Sequence, residues 1–150
     1  MNVPHVLGRA KRFYGRGAAI YDGDHAVSYD QFFSQVMRGA NVLRALGIGR
    51  GDRVAVLMLN STRYLEFYYA TAHIGAIIVP LNTRWNLDDI VFALQDSGSK
   101  LLVFDDRFAD RCQPIALQIG VNRSPEGAPN CGTCSPVCPP PRRELPTTEN

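Results

Sequence analysis

Residues 47–84, GIGRGDRVAVLMLNSTRYLEFYYATAHIGAIIVPLNTR, read as strand, helix, strand with a signal at every boundary. Arg53 to Leu59 is a nearly unbroken apolar run, which suits a strand covered on both faces in a parallel sheet. Asn60, Ser61 and Thr62 then offer N-cap side chains for a helix over Tyr64 to Ile74, and Gly75 supplies the left-handed residue that ends it. Ala76 to Leu81 follows as a second strand. A helix of this length between two buried strands is a βαβ unit with a right-handed crossover. The glycines at 47, 49 and 51 do not form a phosphate cradle, because such a loop must follow a strand and open a helix. Here the order is reversed, so Gly47 reads as the residue closing the preceding helix, with Ile48 as its apolar partner.

Working outward, Pro4 to Tyr14 suits a short helix stopped by Gly15 and Gly17. Ala18–Tyr21 and His25–Val27 flank an Asp22-Gly23-Asp24 turn, a β-hairpin signal that leaves His25 exposed. Ser28 and Gln31 have capping-box spacing, and Phe32, Phe33, Val36, Met37, Ala40, Leu43 and Leu46 recur at helical intervals behind them. Downstream, Asn86 can cap a helix whose stripe is Leu87, Ile90, Val91 and Leu94, closed by Gly98. Leu101–Phe104 is a third apolar strand. Asp105 and Asp106 sit just past its end and read as a solvated turn, and His73 reads as a helix-end residue.

The fourteen aromatic residues all lie at or before Phe108, whereas eight of the ten prolines and all four cysteines lie at or after Cys112. A region without aromatics and rich in Pro, Gly, Ser and Cys buries too little apolar area to offset its ordering entropy. The expected organisation is a folded segment over residues 1–111 and a disordered tail over 112–150. The fold expected is α/β: an incomplete three-layer domain in which a short N-terminal β-hairpin precedes a small parallel sheet of three strands flanked by helices.

The net charge of +2 comes from Arg9, Lys11, Arg12 and Arg16, which leave 2 − 4 = −2 for the remainder. No basic stripe interleaved with exposed aromatics exists, which argues against nucleic acid as a partner. No apolar run approaches the roughly 18 residues that span a bilayer, and no apolar core follows the charged start as in a signal peptide, so the cytoplasm is the expected compartment.

The series YDQFFSQVMRGANVLRALGIGRGDRVAVLMLNS, AHIGAIIVPLNTRW and LDDIVFALQDSGSKLLVFDD resembles the opening of the AMP-forming acyl-CoA synthetases of the adenylate-forming superfamily, over about Pro4 to Asp110. Several features agree in order: Ser28-Tyr29, Leu46-Gly47, Gly51-Asp52-Arg53-Val54-Ala55, Gly75, and Val79-Pro80-Leu81-Asn82. Pro-Leu-Asn-Thr-Arg leans toward fatty-acyl or related ligases. The resemblance implies an ATP-dependent reaction in which a carboxylate displaces pyrophosphate to give an acyl-adenylate, and a CoA thiolate then displaces AMP. Its cofactors and partners are ATP, Mg²⁺, CoA and a carboxylic acid. It also implies that Arg84, the Arg after the Pro-Leu-Asn segment, lies near the CoA nucleotide; Trp85 departs from the aliphatic residue usual in relatives.

In the family the phosphate loop, the Mg²⁺ carboxylate and the mobile lysine follow this region. Residues 105–150 contain no Ser/Thr-Gly loop ending in Pro-Lys-Gly, and the last Lys is Lys100. No catalytic residue is therefore assigned, no cofactor is expected for these residues alone, and the chain is expected to be inactive. Fourteen Arg against two Lys fits GC-rich coding, in which an out-of-frame reading yields Pro, Arg, Gly, Ser and Cys. The tail is thus expected to replace the family's continuation after a frameshift or similar truncation.

Three alternatives stand beside this. Cys131, Cys134 and Cys138, with Cys112 as a fourth, are candidate ligands for zinc or an iron–sulfur cluster. An open sheet edge could make the chain a non-catalytic module that self-associates or pairs with a complementary ligase fragment. A small flavodoxin-like binding domain is disfavoured by the absence of a phosphate loop after any strand.

Overall fold

A computed structural model describes residues 3–118 and 134–137. Helix α1 (Val3–Tyr14) leads to a hairpin of β1 (Ala18–Asp22) and β2 (His25–Ser28), then α2 (Tyr29–Ala45). The parallel unit follows as β3 (Arg53–Leu57), α3 (Thr62–His73), β4 (Ile77–Pro80), α4 (Leu87–Ser97) and β5 (Leu101–Asp105). A 3₁₀ turn (Asp106–Phe108), α5 (Ala109–Gln118) and β6 (Cys134–Val137) complete the described residues.

The sheet order is β4-β3-β5-β6, with β3 parallel to both β4 and β5. The uninterrupted run in β3 divides by strand alternation: Val54, Val56 and Met58 enter one core, and Ala55 and Leu57 enter the other. Strand β5 does the same, with Leu101 and Val103 on the first face and Leu102 and Phe104 on the second. Phe32, Val36, Ala40 and Leu43 of α2 and Ala70 of α3 cover the first face; Ile90 and Leu94 of α4 with Cys112 and Ile115 of α5 cover the second. This is the three-layer α/β arrangement expected, with a hairpin ahead of a parallel sheet.

Local signals explain the boundaries. Ser28 accepts the Gln31 N–H (3.2 Å) while Gln31 Oε1 accepts the Ser28 N–H (2.9 Å), completing the capping box. Of the three candidate caps before α3, Ser61 is the one used, and Asn86 caps α4. Gly47 has φ 76°, its N–H donates to Arg44 O and the N–H of buried Ile48 donates to Leu43 O, the helix ending read from the sequence.

Gly51-Asp52-Arg53 ties the N-terminal edge of the sheet together. The Gly51 N–H donates to Gly75 O (2.9 Å) at the end of α3. Asp52 accepts the Gly49 N–H (2.9 Å) and pairs with Lys100 (2.5 Å) at the start of β5. Arg53 donates from Nε to Ser97 O (2.8 Å) and from Nη2 to Gly98 O (2.9 Å), placing a cation on the negative end of α4. A β-carbon at Gly98, whose φ is 58°, would stand 2.8 Å from Arg53 Nη2.

Three features go beyond the sequence reading. The buried residues of α3 are Glu66, Ala70 and Thr71, while Leu65 and Tyr68 are exposed. Arg63 pairs with Glu66 (2.8 Å), and Thr71 Oγ1 donates to Phe67 O, so the polar groups at the buried face have partners. Helix α5 crosses position 111 and continues to Gln118, because Cys112 and Ile115 supply one more turn of apolar face to the second core. Strand β6, inside the stretch expected to be disordered, pairs antiparallel with β5 through Leu102↔Val137 and Asp105↔Cys134; the rest of the tail beyond Gln118 lies outside the described residues.

Three outcomes are expected. Gly98→Ala forces a side chain into the left-handed region against Arg53 and lowers unfolding free energy by roughly 1–2 kcal/mol in urea titrations; an unchanged midpoint would refute the contact. The Lys100 ammonium, and then the Gly49 N–H, hold the Asp52 carboxyl below its ordinary value of 3.8. A carboxyl depressed in the folded state adds stability above its unfolded value and loses it as pH falls through the folded one. Asp52→Asn is therefore less stable than the parent at pH 7, and the difference shrinks as pH is taken below 3.8; a pH-independent difference would dismiss the tie. Burial pushes the Cys112 thiol up to about 11. With Cys131, Cys134 and Cys138 changed to Ser, Cys112 is expected to resist a disulfide reagent at pH 8 until denaturant is added, and immediate labelling would place it outside the core.

Candidate functional site

The end of the sheet opposite the Asp52–Arg53 tie carries the polar loops. The chain leaves β3 into α3 on one face, but leaves β4 and β5 into α4 and α5 on the other. Connections that diverge from adjacent parallel strands leave a crevice at their C-terminal ends, where open α/β sheets take ligands. Residues 58–60, 81–86 and 105–108 lie at these strand ends.

The loop after β4 is built on Leu81 and Asn82. Leu81 is buried, and its N–H donates to Val56 O (2.9 Å), extending the contact with β3 by one residue. Asn82 then folds the chain back: its Oδ1 accepts the Arg84 N–H (2.9 Å) and its carbonyl accepts the Trp85 N–H (3.1 Å). This is a β-turn over residues 82–85 reinforced by an Asx turn, and it leaves the Arg84 side chain exposed. Pro80 ends the strand on the open side of the sheet. The Pro-Leu-Asn-Thr-Arg run is thus a strand end, a core anchor and a turn former in succession.

Two further groups shape the edge. Asp105 Oδ2 accepts the Leu59 N–H (3.1 Å), joining the ends of β5 and β3, so it serves a backbone contact. Asp106 is exposed at the start of the 3₁₀ turn. Arg111 of α5 donates from Nη1 to Thr83 O (2.8 Å) and from Nη2 to Trp85 O. It escaped sequence reading because its partners lie 28 and 26 residues earlier, a separation with no local signature.

The other sequence candidates are dispersed. The glycines at 47, 49 and 51 sit at the N-terminal edge, remote from this loop along the sheet and engaged in the ties described above. His25 is exposed on the hairpin. His73 ends α3 and lines a groove with His5, Gly8, Arg9, Arg12, Phe13 and Phe33. Cys112 is a free, buried thiol in the second core, which removes it from a surface metal site. Cys134 opens β6, while Cys131 and Cys138 lie outside the described residues. Among the described residues no group of three His, Cys, Asp or Glu could hold a metal, and no helix is long and apolar enough to cross a membrane.

The donors at the C-terminal edge do not fit a nucleoside triphosphate. A triphosphate needs convergent N–H groups and a lysine, whereas β5 ends on two adjacent carboxylates and the edge loops 58–60, 81–86 and 105–108 contain no lysine. They do offer two exposed guanidiniums, Arg84 on a doubly hydrogen-bonded turn and Arg107 in the 3₁₀ turn.

Comparison with known proteins agrees with this architecture. A long-chain-fatty-acid–CoA ligase, FadD13, of Mycobacterium tuberculosis is 44% identical over 81 residues, covering 54% of this chain and 16% of that protein. A feruloyl-CoA synthase of an Amycolatopsis species is 37% identical over 108 residues, covering 72% of this chain and 22% of that protein. The chain therefore spans less than a quarter of the length of these curated relatives. Among solved structures, the N-terminal domain of FACL13 from Mycobacterium tuberculosis superposes with a TM-score of 0.71 at 34% identity, over 83% of this chain and 31% of that one. The sequence model of the AMP-binding enzymes matches residues 8–142, which takes in the sheet, both its edges and part of the tail. With a parallel sheet, the Gly51-Asp52-Arg53 tie and the Asn82 turn all inside that match, this chain belongs to the AMP-binding enzyme family.

Proposed function

We propose that this chain is the opening scaffold of an AMP-forming ligase that joins a fatty or related carboxylic acid to CoA, and that its 150 residues do not perform adenylation on their own. The observation carrying this reading is a mismatch between geometry and chemistry. The family's early landmarks occupy their structural posts, from the Ser28 cap to the Asn82 turn. Yet residues 105–150 contain no Ser/Thr-Gly loop ending in Pro-Lys-Gly and no lysine at all.

Within that reading Arg84 is the residue assigned to the CoA nucleotide. Its exposure and its place on a fixed turn at the C-terminal edge support a phosphate-facing role. ATP, Mg²⁺ and the acid belong to groups that these residues do not supply, and no step is assigned to them here. The frameshift origin of the tail and a cytoplasmic location stay part of the proposal.

A second reading has its own observation. Among the described residues strand β4 is an open edge of the sheet, and Ile77 on it is 52% exposed. An uncovered edge with exposed apolar residues favours pairing with another chain, either a second copy or a polypeptide carrying the missing ligase segments. Sedimentation at several concentrations separates these from a monomer.

Incubation of the purified chain with ATP, Mg²⁺, CoA and a panel of fatty and aromatic acids is expected to release no pyrophosphate. Turnover above a no-protein control would overturn the proposal.

A further inference from the structure

We infer that Arg111 is a positioning residue for Arg84, a tether that holds the turn at 82–85 in the one shape that presents the Arg84 guanidinium at the C-terminal edge of the sheet. This rests on the proposal that Arg84 faces a phosphorylated nucleotide, but its own ground is geometric.

The backbone around Arg84 is fastened from two directions. From its own strand, Asn82 takes the N–H groups of residues 84 and 85. From α5, Arg111 takes the carbonyls of residues 83 and 85, which flank Arg84 on either side. Between them they use the Arg84 N–H and both neighbouring carbonyls, so the turn has little backbone freedom left while the Arg84 side chain stays exposed. A planar fork meets two carbonyls two residues apart with its two terminal nitrogens, an arrangement that the single nitrogen of lysine reproduces only in part.

Arg111 is itself held. Phe108, one turn earlier, is buried with its ring 6.0 Å from the Arg111 guanidinium carbon, and Cys112 and Ile115 bury the face of α5 beside it. The tether runs from α5, anchored in the second core, back to the loop after β4, although β3 lies between β4 and β5. The structure thus couples the seating of α5 to the posture of the candidate ligand loop.

The chain carries its own reporter, since its single tryptophan, Trp85, supplies one of the two tethered carbonyls and is 36% exposed. Arg111→Gln is expected to red-shift Trp85 emission and raise its quenching by acrylamide, with the thermal melt by circular dichroism still cooperative. Arg111→Lys is expected to fall between the two, and Arg84→Gln to leave Trp85 as in the parent. Unchanged emission and quenching in a folded Arg111→Gln chain would overturn the tether. Should that variant fail to fold, the Arg111 guanidinium in the parent decides: slow solvent exchange of its Nη protons by nitrogen-15 NMR supports the bonds to the carbonyls of residues 83 and 85, and exchange at the free-arginine rate overturns the tether. Titration with CoA, read on Trp85, bears on Arg84 separately. A response lost in Arg84→Gln supports the nucleotide assignment, whereas the same response in both chains removes that assignment and leaves the tether intact.

Discussion

Burial of β3 on both faces is the constraint from which the rest of the molecule follows. Val54, Ala55, Val56 and Leu57 are each at most 1% exposed, so the strand requires a helical layer above and another below. The layers come from elements of opposite sequence position: α1, α2 and α3 on one side, α4 and α5 on the other. A centre strand buried this way has no wet face on which to place chemistry. Polar groups are pushed to its two ends, and those ends have become different in kind.

At the N-terminal end the polar groups are consumed by one another. Asp52, Arg53 and Lys100 spend their charges on backbone carbonyls, an amide and a mutual ion pair, which leaves Arg50 as the exposed cation beside the glycine cluster. At the C-terminal end the hydrogen bonds go mainly to backbone, from Asn82, Asp105 and Arg111, and the charged side chain of the turn, Arg84, is exposed. A guanidinium is useful to a ligand only when others have taken over the structural work around it. That division is visible in the contrast between Arg53, which donates three hydrogen bonds to carbonyls, and Arg84, which is exposed.

What the sequence disclosed was local. Capping by Ser28, Ser61 and Asn86, the closing role of Gly47, the hairpin and the three parallel strands depend on residues at most a few positions apart, and spacing reports such contacts directly. What it concealed was tertiary. The burial of Glu66 and Thr71 in preference to Leu65 and Tyr68 follows from which side of α3 meets α2, where Phe32 and Tyr69 pack edge to face at 5.3 Å. The extension of α5 to Gln118 could not be read from a composition break at Cys112, because a few core contacts by Cys112 and Ile115 outweigh a poor average. Of the candidate site, Arg84 was legible through resemblance alone, and Arg111 was not legible at all.

The same separation of ends makes the scaffold of this chain independent of any bound nucleotide. Each landmark of the family seen here acts on the fold: a cap, a helix stop, a strand start, a turn. None requires a nucleotide for its geometry, since the hydrogen bonds that define them are internal to the described residues. The folding information in this part of the sequence is therefore independent of catalysis, and selection on the sheet would retain these landmarks with or without a downstream phosphate site. Arg84 differs from these landmarks, because among the described residues its exposed guanidinium takes no part in the hydrogen bonds that shape the turn.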